Sequence, residues 1–326
     1  MTKRSFLVIH YGALGDVVAA FPALLRIKAA YGPITMVCQN HIGALARQLD
    51  IADKWYPLEA AAFASLHSNQ VHPAVKKILP PFVKILLFSL SSSFEKTLHS
   101  ITKSEVYRIR PRPGLDEKIH VSRYILSNLA RHKLIAEPEK DVFSLLSRND
   151  VDRRDPDYLP SRIFIHPGSG SRKKCWPISN FIKIAALLET KGWRPEFIFG
   201  PAEYDLFDMV LQRKPLKAKV HKLDTLTRLA LLLKTGAGFI GNDSGVSHLS
   251  AFLGLPTVAV FGPSDPKVWK PKGRAVEILQ ADKACGPCYG TKTAGCEEAD
   301  CFSGILPEDV LAAFFKLVHQ SCIYSV

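Results

Sequence analysis

Both halves of the chain alternate between apolar, strand-like runs and segments with helical spacing. In the first half, residues 6–11 form a run rich in β-formers, a short turn follows, and helical spacing continues to Gly32 before a second strand-like run, ITMVCQ. In the second half, RIFIHPGSG, PEFIFGP, AGFIGN and TVAVFGP are strand-like runs with helix-like segments between them. A strand–helix–strand alternation is typical of parallel sheets, so it predicts an α/β protein with two Rossmann-like domains.

The two domains are separated by a polar, proline-bearing stretch, DVDRRDPDYLP, at residues 150–160. It predicts an N-terminal domain over residues 1–155 and a C-terminal domain over residues 156–326. The chain closes on an amphipathic helix, predicted over residues 307–320, which can pack back on the N-terminal domain. A proline and two acidic residues suit the start of this helix.

One apolar stretch in the first half, ILPPFVKILLFSLSSSF at residues 78–94, is harder to assign. Its lysine, two prolines and four serines argue against a membrane-spanning helix. We expect a buried helix here. The alternative is a surface helix that contacts lipid head groups.

The charge distribution is uneven. The net charge of the chain is +13, and residues 76–133 alone contain 12 Lys and Arg against 4 Asp and Glu. Such a segment suits an anionic partner, whether nucleic acid, acidic lipid or a phosphorylated substrate, although a solvated basic face is an equal alternative.

Seven cysteines are too few for a disulfide scaffold, which favours a reducing compartment. The early Asp16 and the lack of an A-x-A-like site argue against a signal peptide.

Small, polar, glycine-bearing loops follow three of the predicted strands in the second half. They are HPGSGS at residues 166–171, GPAE at residues 200–203 and GNDSG at residues 241–245. Since the carboxyl ends of parallel strands meet at one edge of a sheet, the loops should converge. Free N–H groups at helix starts attract anions, and glycine allows a phosphate to approach them, so the loops predict a site for a charged ligand. The alternative is that Asp243 or Ser244 merely caps its helix.

Two common nucleotide sites are disfavoured. No complete G-x-G-x-x-G follows a strand, and no P-loop ending in Gly-Lys-Ser/Thr is present. A nucleotide, if bound, is held in another way.

The stretches FLVIHYGALGDVVAAFPALLRIKAAYG, IHPGSGSRKKCWPISNF, FIFGPAEYD and FIGNDSGVSHLSAFLGLPTVAVFGPSDP resemble, in order, the motifs of glycosyltransferase family 9, the ADP-heptose:lipopolysaccharide heptosyltransferases. The resemblance implies a GT-B fold, with two Rossmann-like domains whose parallel sheets face each other across a cleft. It also implies inverting transfer of heptose from ADP-heptose to the phosphorylated inner core, the Kdo/heptose region, of a lipopolysaccharide precursor, with no metal or other cofactor needed for catalysis. Residues 58–133, where the family binds its acceptor, resemble it only loosely.

The resemblance assigns catalytic roles to two residues. Asp16 matches the candidate general base that takes the proton of the acceptor hydroxyl, and Lys174 matches a lysine that contacts the donor diphosphate. The alternative for Asp16 is an N-cap for a helix starting at Val17. Trp176 is expected to be a packing residue.

The remaining donor-site residues are assigned by the same motifs. Ser169 and Gly170 should contact the phosphates, Glu203 the ribose and Asp243 the heptose hydroxyls, with Ser244, Gly245 and His248 near the phosphates. His248 has a purely structural role as its alternative.

The acceptor site is assigned to Gly15, Arg108, Arg110 and Arg112. Its partners are the lipopolysaccharide precursor and an anionic membrane surface, which implies a cytoplasmic, peripheral protein on the inner face of the bacterial inner membrane. Two alternatives remain open: the same fold with another nucleotide sugar or a protein acceptor, and a basic nucleic-acid-binding module. The second is disfavoured, and no nucleic acid is expected, because the segment lacks RNA-binding signatures and interleaves few aromatics.

Four cysteines cluster near the end of the chain in CGPCYGTKTAGCEEADC, namely Cys285, Cys288, Cys296 and Cys301. A CxxC pair followed by two more cysteines is a pattern that predicts a structural zinc or iron site. The alternative is four free thiols or a redox-sensitive loop.

Overall fold

The computed structural model describes residues 5–65, 71–79, 82–136, 151–212, 217–282, 288 and 300–323. The chain divides into two compact units, Met1–Leu145 and Leu146–Val326. Val151 is the first described residue of the second unit. Its backbone N–H donates to the carbonyl of Leu253 at 3.1 Å, a hydrogen bond within that unit. The predicted boundary after residue 155, and the division of acceptor and donor binding between the domains, stay predictions.

The first unit is a parallel sheet with helices between its strands. Its strands are β1 (Ser5–His10), β2 (Ile34–Cys38), β3 (Lys54–Pro57), β4 (Phe82–Phe88) and β5 (Glu105–Ile109). Its helices are α1 (Leu14–Tyr31), α2 (Asn40–Gln48), α3 (Ala61–Ala64), α4 (Pro73–Ile78), α5 (Ser92–Ile101) and α6 (Val121–Arg131). The strand order is β3-β2-β1-β4-β5, and all four neighbouring pairs are parallel. The direction of winding therefore reverses between β1 and β4.

The apolar stretch at residues 78–94 contains strand β4, so the buried helix predicted there is wrong. β4 lies between β1 and β5, and the side chains of Ile85, Leu86 and Leu87 are fully buried. A central parallel strand is covered on both faces and reads as a continuous apolar run, which periodicity alone does not distinguish from a buried helix. These side chains form part of the core and are not available to lipid.

The second unit repeats the architecture with a larger sheet. Its strands are β6 (Leu159–His166), β7 (Arg194–Phe199), β8 (Lys219–Lys222), β9 (Gly236–Asn242), β10 (Thr257–Phe261) and β11 (Val276–Gln280). Its helices are α7 (Ile178–Thr190), α8 (Tyr204–Leu211), α9 (Leu226–Leu233), α10 (Gly245–Phe252), α11 (Pro266–Trp269) and α12 (Pro307–Ile323), with 3₁₀ turns at Arg172–Lys174, Pro201–Glu203 and Asp300–Phe302. The order is β11-β10-β9-β6-β7-β8, all parallel, so the winding reverses between β6 and β9.

The closing helix α12 begins at Pro307, as predicted, and completes the core of the second unit. Its Phe314 is fully buried in a cluster with Ile240 of β9 and Val258 of β10. Gly238 makes room for it, since a Cβ there would lie 2.4 Å from the Phe314 ring. Packing of this helix on the N-terminal domain stays a prediction. None of the helices in the described ranges combines the length and the apolar content that crossing a membrane requires.

Candidate active site

The loops that the sequence singled out lie where the winding of the second sheet reverses. The chain leaves β6 toward β7 and β8 on one side, whereas β9, β10 and β11 occupy the other side. At such a point the connections after adjacent strands diverge and leave a crevice at the carboxyl edge, which is where open parallel sheets bind ligands. The loops after β6 and β9 border this crevice.

A buried amide joins these two loops. Asn242, the last residue of β9, is fully buried. Its Nδ2 donates to the Pro167 carbonyl at 2.7 Å, and its Oδ1 accepts from the Trp176 N–H at 3.0 Å. Trp176 is 1% exposed and packs in the core, as predicted. The sequence reasoning did not assign Asn242 a role, although its place directly before Asp243 at a strand end was the available signal.

An ion pair lies between the same two loops. The Lys174 ammonium comes from the 3₁₀ turn after β6 and lies 2.8 Å from Asp243 Oδ2, with side-chain exposures of 18% and 5%. The Ser169 hydroxyl donates to the Asp243 carbonyl oxygen at 2.6 Å. The structure thus brings the predicted residues Ser169, Lys174 and Asp243 into direct contact. The ammonium balances the buried carboxylate and holds a positive charge at the crevice.

The loop after β7 joins this group through Glu203. Its Oε1 lies 3.9 Å from His166 Nε2 at the end of β6, and its Oε2 accepts from the Gly200 N–H at 2.8 Å. Burial raises the pKa of the Glu203 carboxyl, but His166 and the Gly200 N–H outweigh burial and hold that pKa below its ordinary value. Gly168 is required for this approach, since a Cβ there would lie 2.4 Å from Glu203 Cγ. The predicted convergence of the three loops is therefore present, and His166 is an additional member.

Helix α10 begins directly behind the ion pair. Ser244 is its N-cap and accepts from the Ser247 N–H at 3.3 Å, so the capping role expected as an alternative is real. Gly245 is the first helical residue, and His248 lies one turn further on, 4% exposed. Burial lowers the pKa of His248 from 6.5 to about 4, with smaller effects from Asp243 and Lys174 and a backbone hydrogen bond to Trp269. His248 is therefore a neutral imidazole beside the ion pair.

Gly170 differs from Gly168 in its surroundings. A Cβ built on Gly170 would meet no atom of the described residues within 4 Å. The β6 loop is therefore tight on the side of Glu203 and open at Gly170, where a ligand could approach the backbone.

In the first unit, Asp16 lies beside the end of β1, at the switch between β1 and β4. Helix α1 begins at Leu14, with Ala13 as its N-cap, so the alternative of Asp16 as the cap of a helix starting at Val17 is wrong. Asp16 is the third helical residue, and its Oδ2 accepts from the Ala13 N–H at 3.2 Å. Gly15 precedes it in the same turn, and both residues are half-buried.

The three arginines assigned to the acceptor site lie in different environments. Arg108, on β5, is 28% exposed, and its Nε lies 2.8 Å from Glu95 Oε2, so its charge is balanced within the unit. Arg110 and Arg112 follow the strand and are exposed. Of the three, these two offer their charge to solvent.

The cysteine cluster lies only partly within the described residues. Cys285 and Cys296 lie outside them. Cys288 is buried, with its N–H donating to the Pro263 carbonyl at 2.9 Å, and Cys301 precedes Phe302, which packs against Gly262. Both described cysteines therefore lie near the loop after β10. Within the described ranges, no three His, Cys, Asp or Glu side chains are grouped as metal ligands.

A second concave region, of about 590 Å³, lies at the opposite edge of the sheet. It is lined by residues at the amino ends of β7 and β8, including Trp193, Arg194 and Lys219, and contains none of the predicted site residues. Ligands of open parallel sheets bind at the carboxyl edge, so the loop site remains the better candidate.

Comparison with solved structures identifies the fold. A glycosyltransferase family 9 protein from Veillonella parvula superposes with a TM-score of 0.74 at 18% identity, covering 98% of each chain. The Escherichia coli heptosyltransferase WaaC, solved with ADP, superposes with a TM-score of 0.71 at 15% identity, covering 96% of this chain and 99% of that one. Two parallel-sheet α/β units of this kind are the GT-B fold of glycosyltransferases.

Sequence comparison identifies the family. The model for glycosyltransferase family 9 (heptosyltransferase) matches residues 114–296. The lipooligosaccharide heptosyltransferase 2 of Campylobacter jejuni is 26% identical over 94% of this chain and 96% of its own length. The chain belongs to glycosyltransferase family 9, and the predicted family and enzyme class are confirmed.

Proposed function

We propose that this enzyme transfers heptose from ADP-heptose to the inner core of a lipopolysaccharide precursor, with inversion at the anomeric carbon. The observation that carries the proposal is the set of contacts that joins three glycine-bearing loops at the carboxyl edge of the second sheet. The Lys174–Asp243 ion pair joins the loops after β6 and β9, and Glu203 lies beside His166 at the end of β6. The relatives support it: they are named as lipopolysaccharide or lipooligosaccharide heptosyltransferases.

In this proposal the second unit binds the donor. The diphosphate binds at the open backbone of Gly170 and the start of α10, where N–H groups and the helix dipole favour an anion. The Lys174 ammonium stabilises the negative charge that grows on ADP as its bond to the sugar breaks, a contribution typically worth about 10²–10³ in rate. The positive charge is thus supplied by a side chain, and the proposed reaction needs no metal ion.

Two carboxylates recognise the hydroxyl groups of the donor. The pKa of Glu203 is held below its ordinary value, so the carboxylate stays ionised at neutral pH and accepts hydrogen bonds from the ribose. Asp243 does the same for the heptose, with its charge balanced by Lys174. Neutral His248 is buried behind them, and its hydrogen bond to the Trp269 backbone links α10 to α11.

The first unit supplies the base. The acceptor hydroxyl oxygen attacks the anomeric carbon as the bond from that carbon to the diphosphate oxygen breaks, and the hydroxyl proton passes to the Asp16 carboxylate. A base of this kind contributes about 10²–10⁴-fold. Gly15 at the same helix start, with Arg110 and Arg112, is assigned to the acceptor and its phosphates.

The decisive experiment separates donor binding from turnover. The wild-type enzyme, incubated with ADP-heptose and a lipopolysaccharide precursor, should release ADP and add one heptosyl residue to the acceptor mass. Asp16→Asn should retain stabilisation by ADP-heptose in a thermal melt and lose turnover. Absence of stabilisation by ADP or ADP-heptose in the wild type would refute the proposal.

The donor sugar and the acceptor need separate experiments, because motifs that bind ADP do not define the sugar ring. A panel of ADP-, UDP- and GDP-sugars, with intact-mass analysis of the product, distinguishes heptose from other donors. A protein substrate in place of the lipopolysaccharide precursor tests the alternative acceptor.

We also propose that the enzyme acts at the cytoplasmic face of the inner membrane, where the exposed Arg110 and Arg112 meet anionic head groups. Each cation near such a surface contributes about 1 kcal/mol. Co-sedimentation with vesicles containing anionic phospholipid should weaken in the double variant Arg110→Gln/Arg112→Gln. Vesicles of zwitterionic lipid are the control, and equal binding by both proteins would refute this role.

The structural-metal hypothesis for Cys285, Cys288, Cys296 and Cys301 rests on their spacing and on the proximity of Cys288 and Cys301 to the loop after β10. A thiolate-bound zinc or iron would fix this segment without entering the reaction. Metal analysis of protein purified without chelator tests it. Absence of both metals, with four alkylatable thiols, would favour the free-thiol alternative.

A further inference from the structure

We infer that His10, at the carboxyl end of β1, is a positioning residue for Asp16 and acts through the backbone of Gly12. This inference rests on the proposed role of Asp16 as general base. Nothing in the four sequence motifs or in the family comparison assigns a role to His10.

Both backbone groups of Gly12 are held by side chains. The Gly12 N–H donates to His10 Nδ1 at 3.0 Å, and the Gly12 carbonyl accepts from Gln39 Nε2 at 3.3 Å. The next residue, Ala13, donates its N–H to Asp16 Oδ2 at 3.2 Å. The imidazole therefore fixes Gly12, and the next residue of the same turn, Ala13, binds the Asp16 carboxylate.

Gly12 also brings His10 and Asp16 close together. A Cβ built on Gly12 would lie 2.6 Å from His10 Cε1 and 2.7 Å from Asp16 Cβ. Only a glycine fits between the two side chains. A shift of the imidazole or of the turn would therefore be transmitted to Asp16.

The environment of His10 argues against a role in packing alone. Its side chain is fully buried and packs against Phe88 of the neighbouring strand β4, with ring centroids 4.5 Å apart and the ring planes tilted by 35°. Because Nδ1 accepts a hydrogen bond, the proton of the neutral ring lies on Nε2, and within the described residues this atom has no partner. A buried donor without an acceptor is destabilising, and a phenylalanine would fill the same space without one. Residues that break a local rule in this way are typical of functional sites.

Two substitutions separate the hydrogen bond from the ring. His10→Phe keeps an aromatic ring beside Phe88 and removes the acceptor for the Gly12 N–H. His10→Asn removes the ring and keeps an acceptor, because asparagine readily bonds the N–H two residues further along the chain. We expect His10→Phe to melt at or above the wild-type temperature while kcat falls about 10- to 100-fold, as expected for a misplaced catalytic group. His10→Asn should melt lower and retain a kcat close to the wild-type value.

A double-mutant cycle tests whether the effect passes through Asp16. His10→Phe in the Asp16→Asn background should cause little further loss of kcat, because the group it positions is already absent. The Kd for ADP-heptose should be unchanged in all four proteins. His10→Phe at the wild-type rate, or an equal further loss in the Asp16→Asn background, would overturn the inference. A wild-type rate for Asp16→Asn alone would instead refute the general base itself.

Discussion

The two sheets of this enzyme carry an aspartate at the same position in different surroundings. In each unit the winding reverses beside the first strand of the unit, between β1 and β4 or between β6 and β9, and an aspartate lies just beyond the carboxyl edge. In the first unit, Asp16 is half-buried and accepts a neutral backbone N–H. In the second, Asp243 is 5% exposed, and a lysine ammonium lies 2.8 Å from it.

The difference lies in the loops and not in the sheets. The β1 connection is a single short turn held by His10 and Gln39, which suits the precise placement of one acid. The second site combines three connections: Asn242 cross-links those after β6 and β9, and Glu203 of the β7 connection lies beside His166, which suits a larger ligand with several polar groups. This contrast fits the proposal that Asp16 reacts and Asp243 binds.

The largest expected effects come from removing the proposed catalytic group of either site. Lys174→Met should lower kcat about 10²–10³-fold by removing charge stabilisation of the leaving group. It should also lower the free energy of unfolding by about 3 kcal/mol, because it leaves the Asp243 carboxylate buried without its partner. Single-turnover kinetics and urea unfolding measure the two effects.

The matched control is the double variant Lys174→Met/Asp243→Asn, which should recover stability and remain slow. If it recovered turnover as well, the ammonium would serve only to neutralise Asp243. Asp16→Asn is the counterpart in the first unit and should lose turnover with little loss of stability.

The next effect is a dependence of stability on pH that both units share. Burial lowers the pKa of His10 to about 3 and that of His248 to about 4. Between about pH 6.5 and 4 the unfolded chain binds a proton at each position that the folded chain does not. The free energy of unfolding should therefore fall with decreasing pH, by about 1.4 kcal/mol per pH unit for each histidine.

Urea unfolding at several pH values measures this slope. His10→Phe should reduce it in the first unit and leave the contribution of His248 in the second unchanged. An unchanged slope in this variant would show that His10 is not buried as a neutral ring.

A smaller effect is expected from the two glycines of the β6 loop. Gly170→Ala adds a methyl group in open space, so it should leave stability unchanged and raise the Kd for ADP-heptose about tenfold by obstructing the diphosphate. Gly168→Ala is the structural control, because its methyl group would collide with Glu203 and destabilise the fold by about 1–3 kcal/mol. Calorimetric titration with ADP-heptose measures the Kd of both variants. A wild-type Kd for Gly170→Ala would show that Gly170 does not contribute to donor binding.

The smallest effect concerns the exposed cations of the first unit. Arg110→Gln/Arg112→Gln should raise the acceptor KM several-fold at low salt, with the difference vanishing at high salt, because exposed charges are screened. Arg153→Gln/Arg154→Gln, which also removes two exposed positive charges, in the second unit, should leave the acceptor KM unchanged. Equal effects of both changes would indicate a general response to net charge.

Sequence patterns predicted the architecture well where it is local. The alternation of strands and helices, the start of α12 at Pro307 and the placement of the loops after β6, β7 and β9 are all observed. They depend on turn residues, helix-start chemistry and side-chain periodicity, which are encoded within a few residues. The error at β4 has the same origin, because a fully buried strand carries no distinctive period.

Pairing between distant residues was not predictable in this way. Nothing in the sequence pattern indicated that Glu95 lies beside Arg108 and balances its charge. Nor did it indicate that the Asn242 amide joins two loops 75 residues apart in sequence. His166 gained Glu203 as a neighbour only through the adjacency of β6 and β7.

From its residue pattern alone, this chain could be recognised as two parallel α/β domains of a glycosyltransferase family, with three converging loops marked as the candidate site. Which charges are balanced, which histidines are neutral and which backbone groups hold Asp16 were decided only by the folded molecule. The physical reason is that helix and strand formation depend on neighbours along the chain, whereas burial and electrostatic pairing depend on neighbours in space.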